Sequence, residues 1–113
     1  MVLDVPGCRT TYGAMQFDWN KANVEHVARH NVTPDEAEQV IENQPIDIGI
    51  AVRKGESRFL QLGKTNTGRV LFVVVTERDG MYRVVTARPA NRKERNFYSI
   101  QKAKRNDQNY EDS

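Results

Sequence analysis

The hydrophobic residues of this chain change their spacing at Pro45, and this change constrains the fold more than any other feature. Before the proline they recur at helical spacing. After it Ile46, Ile48 and Ile50 alternate with smaller or polar residues, as in a half-buried strand. Helices followed by a run of strands predict an α+β domain with an antiparallel sheet.

Two helices are predicted before the sheet. Residues 16–19 alternate and predict a short strand, and Asn20 is a suitable N-cap for a first helix that reaches His30. The predicted buried stripe of this helix is Val24, Val27 and Ala28.

The second helix has the clearest start signal. Thr33 provides a hydroxyl N-cap, Pro34 takes the first helical position, and Glu36 stands three residues after the cap. Pro45 ends the helix. Its predicted buried stripe is Ala37, Val40 and Ile41.

A four-stranded meander and a last helix complete the predicted fold. Strands are expected at residues 46–51, 58–63, 69–76 and 81–87, with turns at 65–68 and 78–80. The strand at 69–76 is almost continuously apolar, which predicts cover on both of its faces. Pro89 ends the fourth strand, and Asn91 with Glu94 begins a helix that extends to Arg105. The side chains expected to hold this helix to the sheet are Phe97, Tyr98 and Ala103.

One folded domain of residues 16–105 is expected, between a loose leader (1–15) and a disordered polar tail (106–113). Cys8 is the only cysteine, so an internal disulfide is impossible and nothing indicates secretion. The start lacks the pattern of a signal peptide, and the longest apolar run, Val70–Val75, is too short to cross a bilayer. These features predict a cytoplasmic protein that does not contact a membrane.

The net charge of +2 is unevenly distributed. Asp18 to Asp47 contains seven acidic and two basic residues, a balance of −5, whereas Arg83 to Arg105 contains eight basic residues and one acidic residue, a balance of +7. An anionic partner, nucleic acid above all, explains the basic segment, and so does an ordinary solvated face of Lys and Arg.

His26 and His30 are four residues apart and share one helix face with Asn23. Three uses fit this pair: a metal site, for which the sequence supplies no third ligand in the metalloprotease pattern; structural hydrogen bonds; or acid, base or phosphate contacts at an RNA site. We predict no metal site and no cofactor.

The remaining candidates for a functional site are arginines. The sequence has no nucleophile motif and no glycine-rich phosphate loop. Guanidinium groups bind phosphate bidentately and stay charged, although pairing with Glu56, Glu77 or Asp79 is expected for at least two of the five candidates. The arginines on or beside predicted strands are Arg58, Arg69, Arg78, Arg83 and Arg88.

Such an inventory suits RNA cleavage. RNA carries its own nucleophile, the 2′-hydroxyl, so a protein that aligns it and stabilises the developing charge needs neither a metal nor a covalent intermediate. Unstacked bases would stack on Tyr82, Tyr98 or Phe97 where these are exposed, although core packing is the alternative for Phe97 and Tyr98.

Five blocks of the sequence resemble BrnT-type toxins in the same order. They are FDWN at 17–20 with NVEHVARHNVTPDEAE at 23–38, RFLQLG at 58–63, GRVLFVV at 68–74, RVVTARPA at 83–90, and RKER at 92–95 with Tyr98. The resemblance covers about residues 16–100. It implies a compact RelE-like fold and an endoribonuclease that blocks translation. It also implies a BrnA-like antitoxin with a ribbon-helix-helix end, a hetero-oligomer with that antitoxin, and contact with DNA only through it.

The resemblance and the arginine inventory together mark the site residues. In the working hypothesis Arg58 and Arg83 contact the scissile phosphate and Arg88 stabilises its developing charge. His30 or Glu77 moves protons, with the acid and the base not assigned separately. The predicted catalytic residues are His30, Arg58, Glu77, Arg83 and Arg88. The predicted RNA contacts are His26, Arg69, Arg92 and Lys93.

Two positions depart from the pattern that the resemblance implies. Asn31 stands where the family usually has glycine after the second histidine, and Pro89 stands where many relatives carry a charged residue. The alternatives to an active nuclease are a catalytically weak or inactive domain that binds an antitoxin and acts in operon repression, and a metal-dependent hydrolase that uses His26 and His30.

Overall fold

The computed structural model describes residues 16–112, with side chains as far as Arg105, so the predicted leader at residues 1–15 lies outside the described residues. The division into leader, domain and disordered tail stays a prediction. The element order is α1 (Lys21–Ala28), α2 (Pro34–Glu42), β1 (Ile46–Arg53), β2 (Glu56–Lys64), β3 (Val70–Arg78), β4 (Met81–Pro89) and α3 (Arg92–Asp112).

The four strands form one antiparallel sheet in the order β1-β2-β3-β4. The predicted α+β fold, with two helices before a four-stranded antiparallel sheet and one helix after it, is confirmed. In place of the predicted short strand at residues 16–19, a single parallel bridge joins Phe17 to Tyr82. No helix in the described part of the chain is long and apolar enough to span a membrane.

The capping box of α2 forms as predicted. Thr33 Oγ1 accepts a hydrogen bond from the Glu36 backbone amide at 3.1 Å, and Glu36 Oε1 accepts from the Thr33 amide at 3.1 Å. The predicted stripe of Ala37, Val40 and Ile41 is buried. In this helix both the capping residues and the apolar spacing therefore gave correct predictions.

The buried face of α1 differs from the predicted one. Val27 is fully buried, but Val24 and Ala28 are exposed. Since α1 contacts the sheet mainly along its edge strand β4, a polar contact sets its rotation: Asn23 Nδ2 donates to the Val84 carbonyl at 2.6 Å. The inner face therefore includes Asn23 and His26 as well as Val27.

The left-handed turn after α1 forms at Asn31, with a φ of 61°. The Asn31 amide donates to the Ala28 carbonyl at 3.0 Å and the Val32 amide to the Val27 carbonyl at 3.1 Å, the double closure of a Schellman motif. The helix ends at Ala28, two residues before the predicted His30. Asparagine thus serves at the position where the resemblance implied glycine.

A β-bulge interrupts the predicted alternation of β1. The register of β1 against β2 shifts between Asp47 and Gly49, so Ile48 is an extra residue. Beyond the bulge Ile50 pairs with Phe59 and therefore lies on the opposite face of the sheet from Ile46, where it is 66% exposed. The prediction of a buried Ile50 was therefore wrong.

The two faces of the sheet are covered unequally. The face under α1 and α2, here called the helix face, buries Leu71, Val73 and Val75 almost completely. The opposite face, here called the open face, carries Phe72 and Val74, which are only half-buried. The prediction that β3 is covered on both faces is therefore correct for the helix face only. On the open face α3 covers only one end of the sheet.

α3 begins at the predicted cap and lies across the open face at the end of the sheet that carries the β2–β3 turn, away from the β1–β2 and β3–β4 hairpins. The Asn91 side chain and the Glu94 backbone amide bond at 2.8 Å, as do the Glu94 carboxylate and the Asn91 amide. Tyr98 is buried in one cluster with Ile46 and Leu62. The other two predicted packing residues, Phe97 and Ala103, are exposed, because Tyr98 occupies the side of the helix that meets the sheet.

Candidate active site

A pocket of about 260 Å³ lies at the end of the open face that carries the β1–β2 and β3–β4 hairpins. Its lining, called the arginine pocket below, contains three guanidinium groups and one carboxylate, so its local charge is positive. The lining residues are Ala22, Asn23, His26, Glu56, Arg58, Arg78, Arg83 and Val85.

Strand alternation and one bulge bring these side chains together. Glu56 and Arg58 are two residues apart on β2 and point to the same face. The register of β4 against β3 shifts between Val74 and Val75, which leaves Val85 as an extra residue beside Arg83. α1 adds His26 from the sheet edge.

Glu56 holds two of the arginines. Its Oε2 accepts from Arg78 Nη2 at 2.7 Å, and its Oε1 accepts from Arg58 Nε at a long 3.4 Å. The hydrogen bond from Arg78, and then the weaker contacts with Arg58, lower the pKa of Glu56 below its ordinary value. Glu56 is therefore an ionised acceptor at neutral pH, and the terminal nitrogens of Arg58 are not used in this contact.

Arg83 is held from the other side. Its Nη2 donates to Asp18 Oδ2 at 2.9 Å, while its Nε is buried and has no hydrogen-bond partner among the described residues. A buried donor without a partner costs about 1–3 kcal/mol. Nη1 of Arg83 donates no hydrogen bond among the described residues, so it is the terminal nitrogen that a ligand can use.

The two histidines lie side by side, but only His26 lines the pocket. Their ring centroids are 5.9 Å apart in an edge-on arrangement, and His30 is exposed in the turn after α1. Within the side chains that the structure describes, no group of three His, Cys, Asp or Glu residues could hold a metal ion. The geometry offers His26 as the imidazole nearest to the arginines.

Arg88 lies elsewhere on the open face. Its two terminal nitrogens donate to the two carboxylate oxygens of Glu94 at 2.9 Å each, and its guanidinium stacks 4.3 Å from the centre of the Phe72 ring. This pair lowers the pKa of Glu94 and raises that of Arg88. Arg88 is five positions along β4 from Arg83, roughly 15 Å along the strand.

The remaining predicted site residues also lie outside the arginine pocket. Glu77 is exposed, and strand alternation points it away from the open face. Arg69 bridges the Asn31 carbonyl (3.0 Å) and Glu36 Oε2 (2.8 Å). Burial would raise the pKa of Glu36, but the bonds from Arg69 and Thr33 lower it overall. Arg92 and Lys93 are exposed at the start of α3.

The family of the chain follows from a comparison with known families. The family described as the ribonuclease toxin BrnT of type II toxin–antitoxin systems matches residues 17–94. The chain belongs to this family. The match runs from the Phe17 bridge to the first turn of α3 and includes every residue that lines the arginine pocket, and it confirms the resemblance seen in the sequence. A comparison with curated proteins found no match. Membership in a type II toxin family implies an antitoxin protein as partner.

Sequence reasoning missed several residues of this toxin's pocket. Arg78 was considered only among the strand arginines and Glu56 only as a salt-bridge partner, although the expectation that at least two arginines pair with such acids is confirmed. Asp18 was counted only as an acidic residue. The two-residue spacing of Glu56 and Arg58 on a strand was the available signal. Nothing in the sequence indicated that Asp18 meets Arg83, 65 positions away.

Proposed function

We propose that this toxin is an endoribonuclease that cleaves RNA by attack of the 2′-hydroxyl within the arginine pocket, without a metal ion, and thereby inhibits translation. The observation that supports this most is the convergence of Arg58, Arg78, Arg83 and His26 on one pocket. Because the substrate supplies the nucleophile, the pocket needs only to bind the phosphate, stabilise charge and move protons.

The scissile phosphate would lie between Arg58 and Arg83. The terminal nitrogens of Arg58 and Nη1 of Arg83 donate no hydrogen bond among the described residues, so a phosphate oxygen can use them. As the 2′-oxygen attacks, negative charge grows on the phosphoryl oxygens, and these preorganised cations stabilise it. Arg78, held by Glu56, adds to the positive potential.

Proton transfer would fall to His26. The 2′-oxygen forms a bond to phosphorus while the bond to the 5′-oxygen breaks, which gives a 2′,3′-cyclic phosphate and a 5′-hydroxyl. One proton leaves the 2′-hydroxyl and one reaches the 5′-oxygen. Glu56 is ionised and occupied by two arginines, so the imidazole of His26 is the better placed group for either transfer.

The partner would be a BrnA-like antitoxin with a ribbon-helix-helix end. The toxin would act in the cytoplasm, form a hetero-oligomer with this antitoxin, and reach DNA only through it. The family membership supports an antitoxin in general, and the finer identity rests on the resemblance of the sequence blocks.

The experiment is cleavage of a labelled single-stranded RNA by the purified toxin in EDTA. Cleavage should continue, give cyclic phosphate ends, and be absent with the 2′-deoxy strand. Arg58→Ala and Arg83→Ala should each reduce the rate about 100-fold or more. Arg29→Ala, which removes an exposed arginine outside the pocket, is the matched control and should retain the rate.

Three outcomes would contradict the proposal. Loss of activity in EDTA would indicate metal-dependent hydrolysis, and cleavage of the 2′-deoxy strand would exclude the 2′-hydroxyl as nucleophile. A wild-type protein that binds its antitoxin tightly but leaves RNA intact would be an inactive binding domain that acts in repression.

A further inference from the structure

A second pocket lies on the same face of the sheet as the arginine pocket. It has a volume of about 400 Å³, is predominantly apolar, and is formed where α3 crosses the strands. It is called the Phe97 pocket below. Its lining residues are Ile48, Leu62, Lys93, Glu94 and Phe97.

A continuous strip of the open face joins the two pockets. Arg58, Leu60 and Leu62 follow one another on the same side of β2, the first in the arginine pocket and the last in the Phe97 pocket. Four residues of strand span about 13 Å. The side chains between the pockets, Leu60 on β2 and Val74 on β3, are only half-buried although they belong to central strands.

Cations stand at both ends of this apolar strip. Arg58, Arg78 and Arg83 occupy one end, and Arg92 and Lys93 are exposed at the other. An extended partner that alternates negative charge with flat apolar surface fits this arrangement, because phosphates meet the cations while a base enters the apolar pocket. Single-stranded RNA has that chemistry.

The aromatic ring needed for such a contact is available. Phe97 is 43% exposed, although it lies beside the buried Tyr98 and next to Leu62 of the sheet. A half-exposed phenyl ring at the edge of a pocket offers a face on which any base can stack.

We propose that the Phe97 pocket is a base-binding subsite of the toxin. The inference rests on the proposed function: with the scissile phosphate in the arginine pocket, the RNA strand follows the open face along β2. A base near the cleaved bond stacks on Phe97, and Lys93 binds a phosphate of the same segment.

The test uses an oligoribonucleotide of the mapped cleavage sequence, with a 2′-methoxy group at the attacking position so that it binds without being cut. Abasic residues replace each neighbouring nucleotide in turn. At one position the abasic change should weaken binding to the wild type about fivefold or more. Phe97→Ala should weaken binding of the intact RNA by a similar factor and show no further loss with that abasic strand.

Two further variants separate stacking from folding. Phe97→Tyr keeps the ring and should retain the affinity. Ile100→Ala removes another exposed apolar side chain of α3 outside the pocket and should also retain it. Lys93→Ala should weaken binding equally for all sequences and reduce the salt dependence by about one phosphate contact.

The outcomes distinguish this inference from the proposed function. If the RNA binds and is cleaved with full dependence on Arg58 and Arg83, but Phe97→Ala binds every strand as the wild type does, the subsite is wrong and the nuclease stands. If Phe97→Ala weakens only the antitoxin complex, the pocket belongs to that partner and the subsite is again wrong. If the wild type neither binds nor cleaves RNA, both proposals fail.

Discussion

The helix face and the open face of the sheet are built from alternate residues of the same strands, yet they differ in almost every physical respect. Val73 and Val74 are neighbours on β3, and the first is fully buried while the second is only half-buried. The helix face is closed by α1 and α2 around one apolar cluster. The open face is closed only at one end, by α3, and carries paired arginines at both ends.

Because of this difference, the helix face of the sheet provides the stable core and the open face presents the charged groups of the site. The larger cluster of buried apolar residues lies on the helix face, so hydrophobic stabilisation is concentrated there. The open face can therefore keep half-buried apolar side chains and charged groups whose pairs contribute little in partial exposure to solvent. The same period of two that builds a core on one side presents Arg58 and Arg83 on the other.

The largest expected difference between the two faces is in the free energy of unfolding. Val73→Ala should lower the free energy of unfolding by about 2–3 kcal/mol, because it removes two methyl groups from a fully buried site and leaves a cavity. Val74→Ala, the same change one residue along, should cost less than about 1 kcal/mol, because the site is already partly hydrated. Urea unfolding of both variants measures the difference. Equal losses would show that the open face is as well packed as the helix face.

Two glycines test how closely other parts of the chain approach the strand backbone on each face. A Cβ on Gly63, on the helix face, would lie 2.8 Å from Val40 Cγ1 and 3.2 Å from the Val40 carbonyl oxygen. Gly63→Ala should therefore destabilise the fold by about 1–3 kcal/mol, since α2 must move away from β2. A Cβ on Gly49 would meet only Leu60 Cδ2, at 3.9 Å.

Gly49→Ala is the matched control on the open face and should change the thermal midpoint little. Both variants can be compared by calorimetry. A Gly63→Ala protein as stable as the wild type would show that the contact between α2 and β2 is loose.

The elements of this fold could be predicted from local signals. The capping box at Thr33, the break at Pro45, the Asp79–Gly80 turn and the cap at Asn91 are each specified by residues a few positions apart. The structure differs from the prediction where contacts between residues far apart in the sequence determine which side chains are buried. The bulge in β1 exposes Ile50, and the bond from Asn23 to the Val84 carbonyl rotates α1.

The site could be predicted only in part for the same reason. Arg58, Arg83 and His26 were named from residue type and resemblance, and the geometry brings them together. Which acid pairs with which arginine depends on strand register and on the approach of the N-terminal segment. Asp18 therefore could not be assigned to Arg83, nor could Glu77 be placed off the open face, from spacing alone.

The smallest predicted effect concerns the pair that holds α3 over the open face. Glu94→Gln retains an oxygen that can cap the Asn91 amide but removes the charge that Arg88 binds, so it should lower the free energy of unfolding by about 0.5–1 kcal/mol at pH 7.

The pKa of Glu94 is lowered from its ordinary 4.5 by Arg88. The contribution of this carboxylate to stability is therefore fully present above about pH 4.5 and decreases as the pH falls through the lowered pKa. The difference between wild type and Glu94→Gln should stay constant from pH 5 to pH 8 and shrink below about pH 4.5. Urea unfolding across that range measures it. A difference that persists unchanged into acid would show that the side chain stabilises α3 by shape and capping alone, and that the open face does not depend on charge to keep its helix.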